Sequence, residues 1–253
     1  GTSGHLLGGA LAAILLGPWA AVLVMTSVIA VQALLFQDGG LLALGFNVFN
    51  MGIIAIFVGY AVYRWIRSAL GQTRTGSLVG AAVGAWVAVE AAAVATALEL
   101  SLSGTTSLSV TLPAMFGVHA LIGIGEALIT VGALAFLQQT RPDLAGETAP
   151  EAGRGSAWIA VGLIIALAVA LISPLASPEP DGLERVAEDQ GFIAAAEDSP
   201  YEVMPDYTVP FIEDEALTTI VAGIAGVLVV AGIGYGVARL AGRSKSAEAE
   251  RTA

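Results

Sequence analysis

LLGGALAAILLGPWAAVLVMTSVIAVQALLFQ, residues 6–37, contains no charged side chain. As one continuous helix it would run about 48 Å, whereas the hydrocarbon core of a bilayer is about 30 Å thick. A break is required, and Gly17-Pro18 supplies it: proline opens a helix at its first turn but cannot continue one arriving from upstream. The stretch therefore reads as a short helix over 6–16 followed by a full span over 18–36. If the short helix ends at the inner boundary at Gly17, its length of about 16 Å places its start partway down the membrane, with His5 at depth inside the bundle.

Outward from this stretch the pattern repeats. Asp38-Gly39-Gly40 makes a tight turn, and the next span covers 41–63, ending at the aromatic and basic interfacial anchor Tyr63-Arg64-Trp65-Ile66-Arg67. Further apolar spans are expected over 77–100, 112–137, 157–175 and 217–240. The fold class is thus all-α, a polytopic transmembrane bundle. About five helices, one of them short, form a first module and two more form a second. Composition agrees: 56% of the 253 residues are hydrophobic and only 12% charged, with mean hydropathy +0.81. Soluble domains carry about 25% charge.

Charge sets the orientation. Short cytoplasmic loops collect Lys and Arg, and Arg64, Arg67, Arg74, Arg141, Arg154, Arg239, Arg243, Lys245 and Arg251 can all face the cytoplasm. Only Arg185 is left, within a segment where twelve of the 21 acidic residues fall between Glu179 and Glu215. This segment is expected to be one acidic, water-exposed loop, 176–216, outside the plasma membrane. The domain reading is a membrane module over 1–138, a Pro/Gly/Glu-rich cytoplasmic linker over 139–156, a second module over 157–240 and a cytoplasmic tail over 241–253. A net charge of -11 argues against nucleic-acid partners, while lipid is an obligatory one.

Cysteine is absent, which excludes thiolate metal sites, disulfides and cysteine nucleophiles. There is no phosphate-binding glycine loop with its lysine, no HExxH and no Ser/His/Asp set with a spare histidine, so any ATP hydrolysis belongs to a partner and the chain is read as a non-enzyme. His5 follows the flexible Gly1-Thr2-Ser3-Gly4, able to gather carbonyls, amides and the Ser3 hydroxyl at one point. Imidazole is the usual nitrogen ligand of divalent cobalt, nickel and zinc. A lone terminal histidine is also a common interfacial residue, and both readings stand at this point.

Glu90, Glu99, Glu126 and His119 interrupt apolar spans, where a charge at the bilayer centre costs about 2.5–3.5 kcal/mol, so each needs a partner or a role. Glu99 lies at the outer end of its span and can reach water. His119 and Glu126 are seven residues apart, two turns on one helix face, and are expected to point into the bundle together. They are read either as supports for a metal ligand or a proton-labile pair, or as interhelical hydrogen-bonding groups. Asn47 and Asn50, three residues apart, share a face from which carboxamides can cap the backbone of an inserted loop.

Several of these segments together resemble one family. Gly1-Thr2-Ser3-Gly4-His5-Leu6 with Gly17-Pro18-Trp19, Gln32-Ala33-Leu34-Leu35-Phe36 with Asp38-Gly39-Gly40, the run from Asn47 to Gly52, and Ile122-Gly123-Ile124-Gly125-Glu126 resemble CbiM/NikM. That is the substrate-binding subunit of energy-coupling-factor cobalt and nickel transporters. Pro180-Asp181-Gly182-Leu183-Glu184 resembles the PDGLE signature of the small CbiN/NikN component, so the two components look fused.

The resemblance implies a metal held by an N-terminal Met-His segment, through its amine, backbone nitrogen and imidazole, together with a histidine matching His5. The sequence as given starts after that segment and after a first spanning helix, so one side of the site is expected here. No permanent cofactor is implied; the ligand is transported divalent cobalt or nickel, held by nitrogen donors in a near-planar set that rejects magnesium. The implied partners are a CbiQ-like transmembrane coupling subunit and CbiO-like cytoplasmic ATPases, with cobalamin synthesis as the destination of cobalt. Two alternatives stand beside it: a proton-coupled secondary transporter using Glu90 and Glu126, and a non-transporting structural subunit.

Overall fold

The computed structural model describes residues 6–140, 157–176, 179–195, 200–201 and 203–252, whose regular secondary structure is all helical, with no strand among them. Eight helices are named here. α1 (Gly9–Leu16) is followed by α2 (Pro18–Phe36), whose last turn, Gln32–Phe36, is wound as a π-helix. α3 (Leu44–Ala69) contains a second π-turn at Asn50–Ile54. Then come α4 (Arg74–Leu102), α5 (Leu108–Thr140), α6 (Ala157–Ile172), α7 (Gly182–Gln190) and α8 (Glu215–Thr252).

Five of these helices are long and apolar enough to cross a membrane, α2 to α5 and α8 over Glu215–Gly236; α6 is a shorter apolar helix. The break inside residues 6–37 falls where the sequence places it. Gly17 has φ 82°, a conformation that favours glycine, and its N–H closes α1 on the Ala13 carbonyl before Pro18 opens α2. Gly39 and Gly40 both have φ 75° and make the expected turn. The helices outrun the apolar stretches at their ends. α4 starts at Arg74 because the Thr73 hydroxyl accepts from the Gly76 N–H as an N-cap, and α3 carries the Tyr63–Arg67 anchor inside its last turns before stopping at Ala69.

The chain divides into two units. The first comprises Gly1–Thr26, Leu42–Gly153 and Ser177–Asp198. Its α3 and α4 touch through glycines: a Cβ on Gly84 would stand 2.7 Å from the Gly59 carbonyl oxygen, and one on Gly80 2.9 Å from that of Tyr63. Small residues let transmembrane backbones approach this closely, which dispersion and interhelical contacts then exploit in place of a hydrophobic driving force. α1 lies against this pair through Ala10, which packs with Ala55, Ala85, Ala88 and Ala92. On α5, Trp86 of α4 lies over Gly123 and donates its indole N–H to the Ala120 carbonyl at 3.0 Å.

The second unit comprises Ser27–Leu41, Arg154–Ala176 and Ser199–Ala253. Here the end of α2 is clasped by the segment before α8. The Met204 N–H donates to the Leu35 carbonyl and the Tyr201 hydroxyl to that of Leu34, supplying donors to a helix end that has spare acceptors. Tyr207 stacks on Phe36 with centroids 4.5 Å apart, and its hydroxyl donates to Asp38 Oδ2 at 2.7 Å; Gln32 Nε2 donates to the same oxygen at 3.3 Å. Asp206 and Tyr207 both sit at positive φ, 49° and 60°, a strain the clasp must offset.

Burial, and then the neighbouring Asp38 carboxylate, push the Tyr207 phenol above its ordinary range. A raised value means that the clasp's contribution is complete below the ordinary tyrosine pKa of about 10 and fades only as pH rises through the raised value. Tyr207→Phe keeps the ring stack but loses the hydroxyl bond. The expected result is a loss of about 1.5–3 kcal/mol, read as a melting temperature several degrees lower in detergent. An unchanged melting temperature would show that the hydroxyl contributes nothing.

Candidate functional site

The short helix α1 begins inside the first unit, and its start is where a polar constellation converges. Four N–H groups at any helix start lack intrahelical acceptors and carry the positive end of the helix dipole. At α1 a carboxylate from another helix answers both. Glu126 of α5, only 2% exposed, accepts from the Leu7 N–H through Oε2 at 2.8 Å and from the Gly8 N–H through Oε1 at 2.7 Å. Gly8 holds φ 67°, and its carbonyl accepts the first helical bond, from Ala12. Gly9 sits against Ile56 and the Met51 carbonyl, so the entry to α1 is gripped by α3 and α5.

His5 and Ser3 lie outside the described residues. Glu126 holds the backbone of Leu7 and Gly8, which follow His5 in the sequence.

Asn50 opens the π-turn of α3 and is buried. Its Nδ2 donates to Glu99 Oε2 at 2.7 Å and to Thr96 Oγ1 at 3.2 Å, and the Thr96 hydroxyl donates in turn to the Ala92 carbonyl at 3.1 Å. Asn50 Oδ1 is buried with no hydrogen-bond partner among the described residues. It is an acceptor open to a donor, as a loop-capping carboxamide needs. Glu99, expected to reach water from the end of its span, is half-buried and bonded to Asn50. Asn47 is half-buried one turn earlier. Glu90 is 5% exposed, and neither carboxyl oxygen has a partner among the described residues.

His119 and Glu126 share a face of α5 yet serve different elements. Glu126 holds α1, whereas the His119 Nδ1–H donates to the Met115 carbonyl at 2.7 Å and the ring packs on α7. A carbonyl can only accept, so this bond fixes the proton on Nδ1 of the neutral ring and leaves Nε2 facing Gly182.

The segment expected to be one exposed acidic loop contains α7, and this corrects the sequence reading. Asp181, Gly182 and Glu184 of the PDGLE signature each bear on how that helix starts. Asp181 Oδ1 accepts from the Leu183 and Glu184 N–H groups at 2.8 Å each, and Glu184 Oε2 reaches back to the Asp181 N–H at 3.1 Å, a reciprocal capping box. Gly182 leaves no room for a side chain: a Cβ there would lie 2.9 Å from His119 Cε1 and 3.0 Å from both His119 Nε2 and Ile122 Cδ1. One turn on, Val186 is buried with Ala93, Ala97 and Met115. The acidic side chains hid this helix from the sequence reading; the signal that could have revealed it is Asp-x-x-Glu followed by the apolar Val186-Ala187 pair.

Comparison with known proteins bears on what such a constellation serves. Residues 1–144 match the family profile described as "Cobalt uptake substrate-specific transmembrane region", and residues 156–243 match the PDGLE domain. The "Putative fused nickel transport protein NikMN" of Archaeoglobus fulgidus is 37% identical over 245 residues, covering 95% of this chain and 79% of its own. The "Probable fused nickel transport protein LarMN" of Lactiplantibacillus plantarum is 39% identical over 189 residues, 69% of this chain and 55% of its own. "Cobalt transport protein CbiM" of Sorangium cellulosum is 36% identical over 146 residues, 57% of this chain and 65% of its own.

Proposed function

This chain belongs to the cobalt-uptake substrate-specific transmembrane family, joined here to a PDGLE domain, and from that premise we propose that it captures divalent cobalt or nickel for an ATP-driven energy-coupling-factor importer. The observation that carries this reading is the two-point grip of Glu126 on Leu7 and Gly8. It anchors the backbone next to His5, the one residue of the N-terminal segment with a good nitrogen donor for these ions. A metal ligand on a short, held segment is pre-organised, and its affinity is not spent on ordering a loose loop.

Asn47 and Asn50 on α3 would cap the incoming backbone of Ser3 and His5, Asn50 through the Oδ1 that lacks a partner among the described residues; His119 would act through α7 and not touch the ion. The sequence carries no nucleotide-binding motif, so ATP is hydrolysed by cytoplasmic CbiO-like subunits working through a CbiQ-like membrane partner. In this reading residues 1–138 form the capture module and 157–240 the accessory one. The segment 176–216 lies outside the plasma membrane, while 139–156 and the tail 241–253 are cytoplasmic, and cobalt taken up feeds cobalamin synthesis.

His5→Ala in cells expressing the full protein with its partners is expected to lower uptake of labelled cobalt and nickel at least about tenfold, the cost of losing one ligand from a small set. Undiminished uptake would remove His5 from the site. Glu90 keeps a second reading open, because a buried carboxyl without a partner suits a proton carrier. Uptake that survives loss of the ATPase but collapses with the proton gradient would replace the first reading with that one.

A further inference from the structure

One end of the α3, α4 and α5 trio carries Arg67, Arg74 and Gln138. Tyr63, Ala81 and Leu134 form one buried cluster across the three helices. One turn further along each helix in the same direction come Arg67, Ser77 and Gln138, because α3 and α5 run toward this end and α4 runs away from it. Residues one turn apart share a helix face, so these three form the next layer of the trio.

That layer is polar and incompletely bonded. Ser77 Oγ lies 3.1 Å from the Tyr63 hydroxyl, which also accepts weakly from Arg67 Nη1 at 3.4 Å. Beyond that, Arg67 Nε is buried without a partner, and Gln138, 7% exposed, has neither Nε2 nor Oε1 satisfied among the described residues. An unmade bond at a buried polar group costs about 1–3 kcal/mol, so a layer with three such atoms gains from any group that satisfies them.

The charge says what kind of group. Residues 39–89 and 127–140 contain Arg64, Arg67 and Arg74 and no Asp or Glu. None of these arginines has an ion pair among the described residues. Arg64 and Arg67 instead lean on Tyr60 and Tyr63, with guanidinium carbons 6.0 and 5.9 Å from the ring centroids. Trp65, 72% exposed, marks the level of the membrane interface beside them.

We propose that this layer binds a phosphate group, and that its natural source is the headgroup of an anionic phospholipid. Arg67 Nε and Gln138 Nε2 donate to phosphate oxygens, and Gln138 Oε1 accepts from a headgroup hydroxyl such as that of a glycerol. Arg64 and Arg74 add the attraction that basic clusters at the interface exert on anionic headgroups. The lipid would pin three helices of the capture module at the end where Leu11, Ile14 and Leu15 of α1 also pack on the Tyr63–Ala81–Leu134 cluster.

The test uses the full chain, delipidated in a maltoside detergent, with melting temperature as the readout. Short-chain phosphatidylglycerol at about 100 times its dissociation constant is expected to raise the melting temperature by about 5 °C. Inorganic phosphate at the same concentration is expected to leave it unchanged; an equal rise would support the phosphate site and assign it to the free ion. Arg67→Gln and Gln138→Leu are each expected to abolish the rise, and Arg67→Lys to reduce it.

In lipid-free detergent Gln138→Leu is expected to melt no lower than wild type, because it removes an orphaned amide. No rise with either probe would overturn the proposal, as would a wild-type rise in both the Arg67→Gln and Gln138→Leu proteins. A lipid-free Gln138→Leu protein less stable than wild type would overturn it too, by showing that the amide is already satisfied.

Discussion

Glu126→Ala is expected to cut metal uptake at least about tenfold and to destabilise the first unit by about 3–5 kcal/mol. The magnitude follows from the two bonds it makes. Hydrogen bonds to a carboxylate contribute about 1.5–3 kcal/mol each, and removing the side chain also strands the half-buried Leu7 and Gly8 N–H groups at the helix start. Glu126→Gln tests the geometry separately from bulk. A carboxamide has one oxygen, so only one N–H keeps its acceptor while the amide's own donors face the other. Its loss should be about half that of alanine.

The two roles of Glu126, folding α1 and presenting His5, are separable. Cobalt or nickel affinity of the folded, purified variant is measured by calorimetry alongside its melting temperature. Reduced affinity in the protein that remains folded supports the presenting role. Wild-type affinity with a lower melting temperature reduces Glu126 to a structural cap, and wild-type values for both would refute the grip altogether.

The second large effect is expected at Gly182. Even the single carbon of Gly182→Ala meets three atoms at 2.9–3.0 Å, and the His119 ring cannot simply swing aside because its Nδ1–H is committed to the Met115 carbonyl. Overpacking of this kind costs about 1–3 kcal/mol. Gly182→Val, larger and β-branched, should detach α7 outright and expose Val186. The measurement is amide hydrogen exchange across Gly182–Gln190, with lost protection as the expected result.

His119→Ala combined with Gly182→Ala makes room for the new carbon and should restore protection, a coupling that two independent sites would not show. Full protection in the Gly182 single variants would mean that α7 docks elsewhere. Metal uptake in the same variants then reports whether the docked helix matters for transport or only for packing.

How far such sites could be read beforehand depended on what kind of partner each residue has. The break at Gly17-Pro18 and the Asp38-Gly39-Gly40 turn were legible because glycine and proline announce their backbone needs in their own chemistry. Glu126 and His119 were legible as costly residues on one face, yet their separate duties were not. The partners are two main-chain N–H groups, a carbonyl and a glycine, and none of these leaves a side-chain signature at a fixed spacing. Asn50 stood out as a membrane carboxamide, but its bond to Glu99 joins residues 49 positions apart, a pairing that no local spacing announces. The layer of Arg67 and Gln138 gave no hint at all, since an arginine and a glutamine near span ends look like interfacial polar residues until their burial is known.

By itself, the sequence determined the solvent and the strand-free helical architecture. Apolar runs of membrane length leave a helix as the way to satisfy every backbone group without water, and glycine and proline mark where each run stops. The motifs, too, were enough for the family. Only the tertiary structure decided which buried polar group meets which backbone. Such pairings are set by helices brought together from distant parts of the chain, where Glu126 reaches Leu7 and Gly8 across more than a hundred residues. It also decided that the acidic PDGLE segment is a docked helix, because burial of Val186 and the fit of Gly182 on His119 exist only once α5 is beside it.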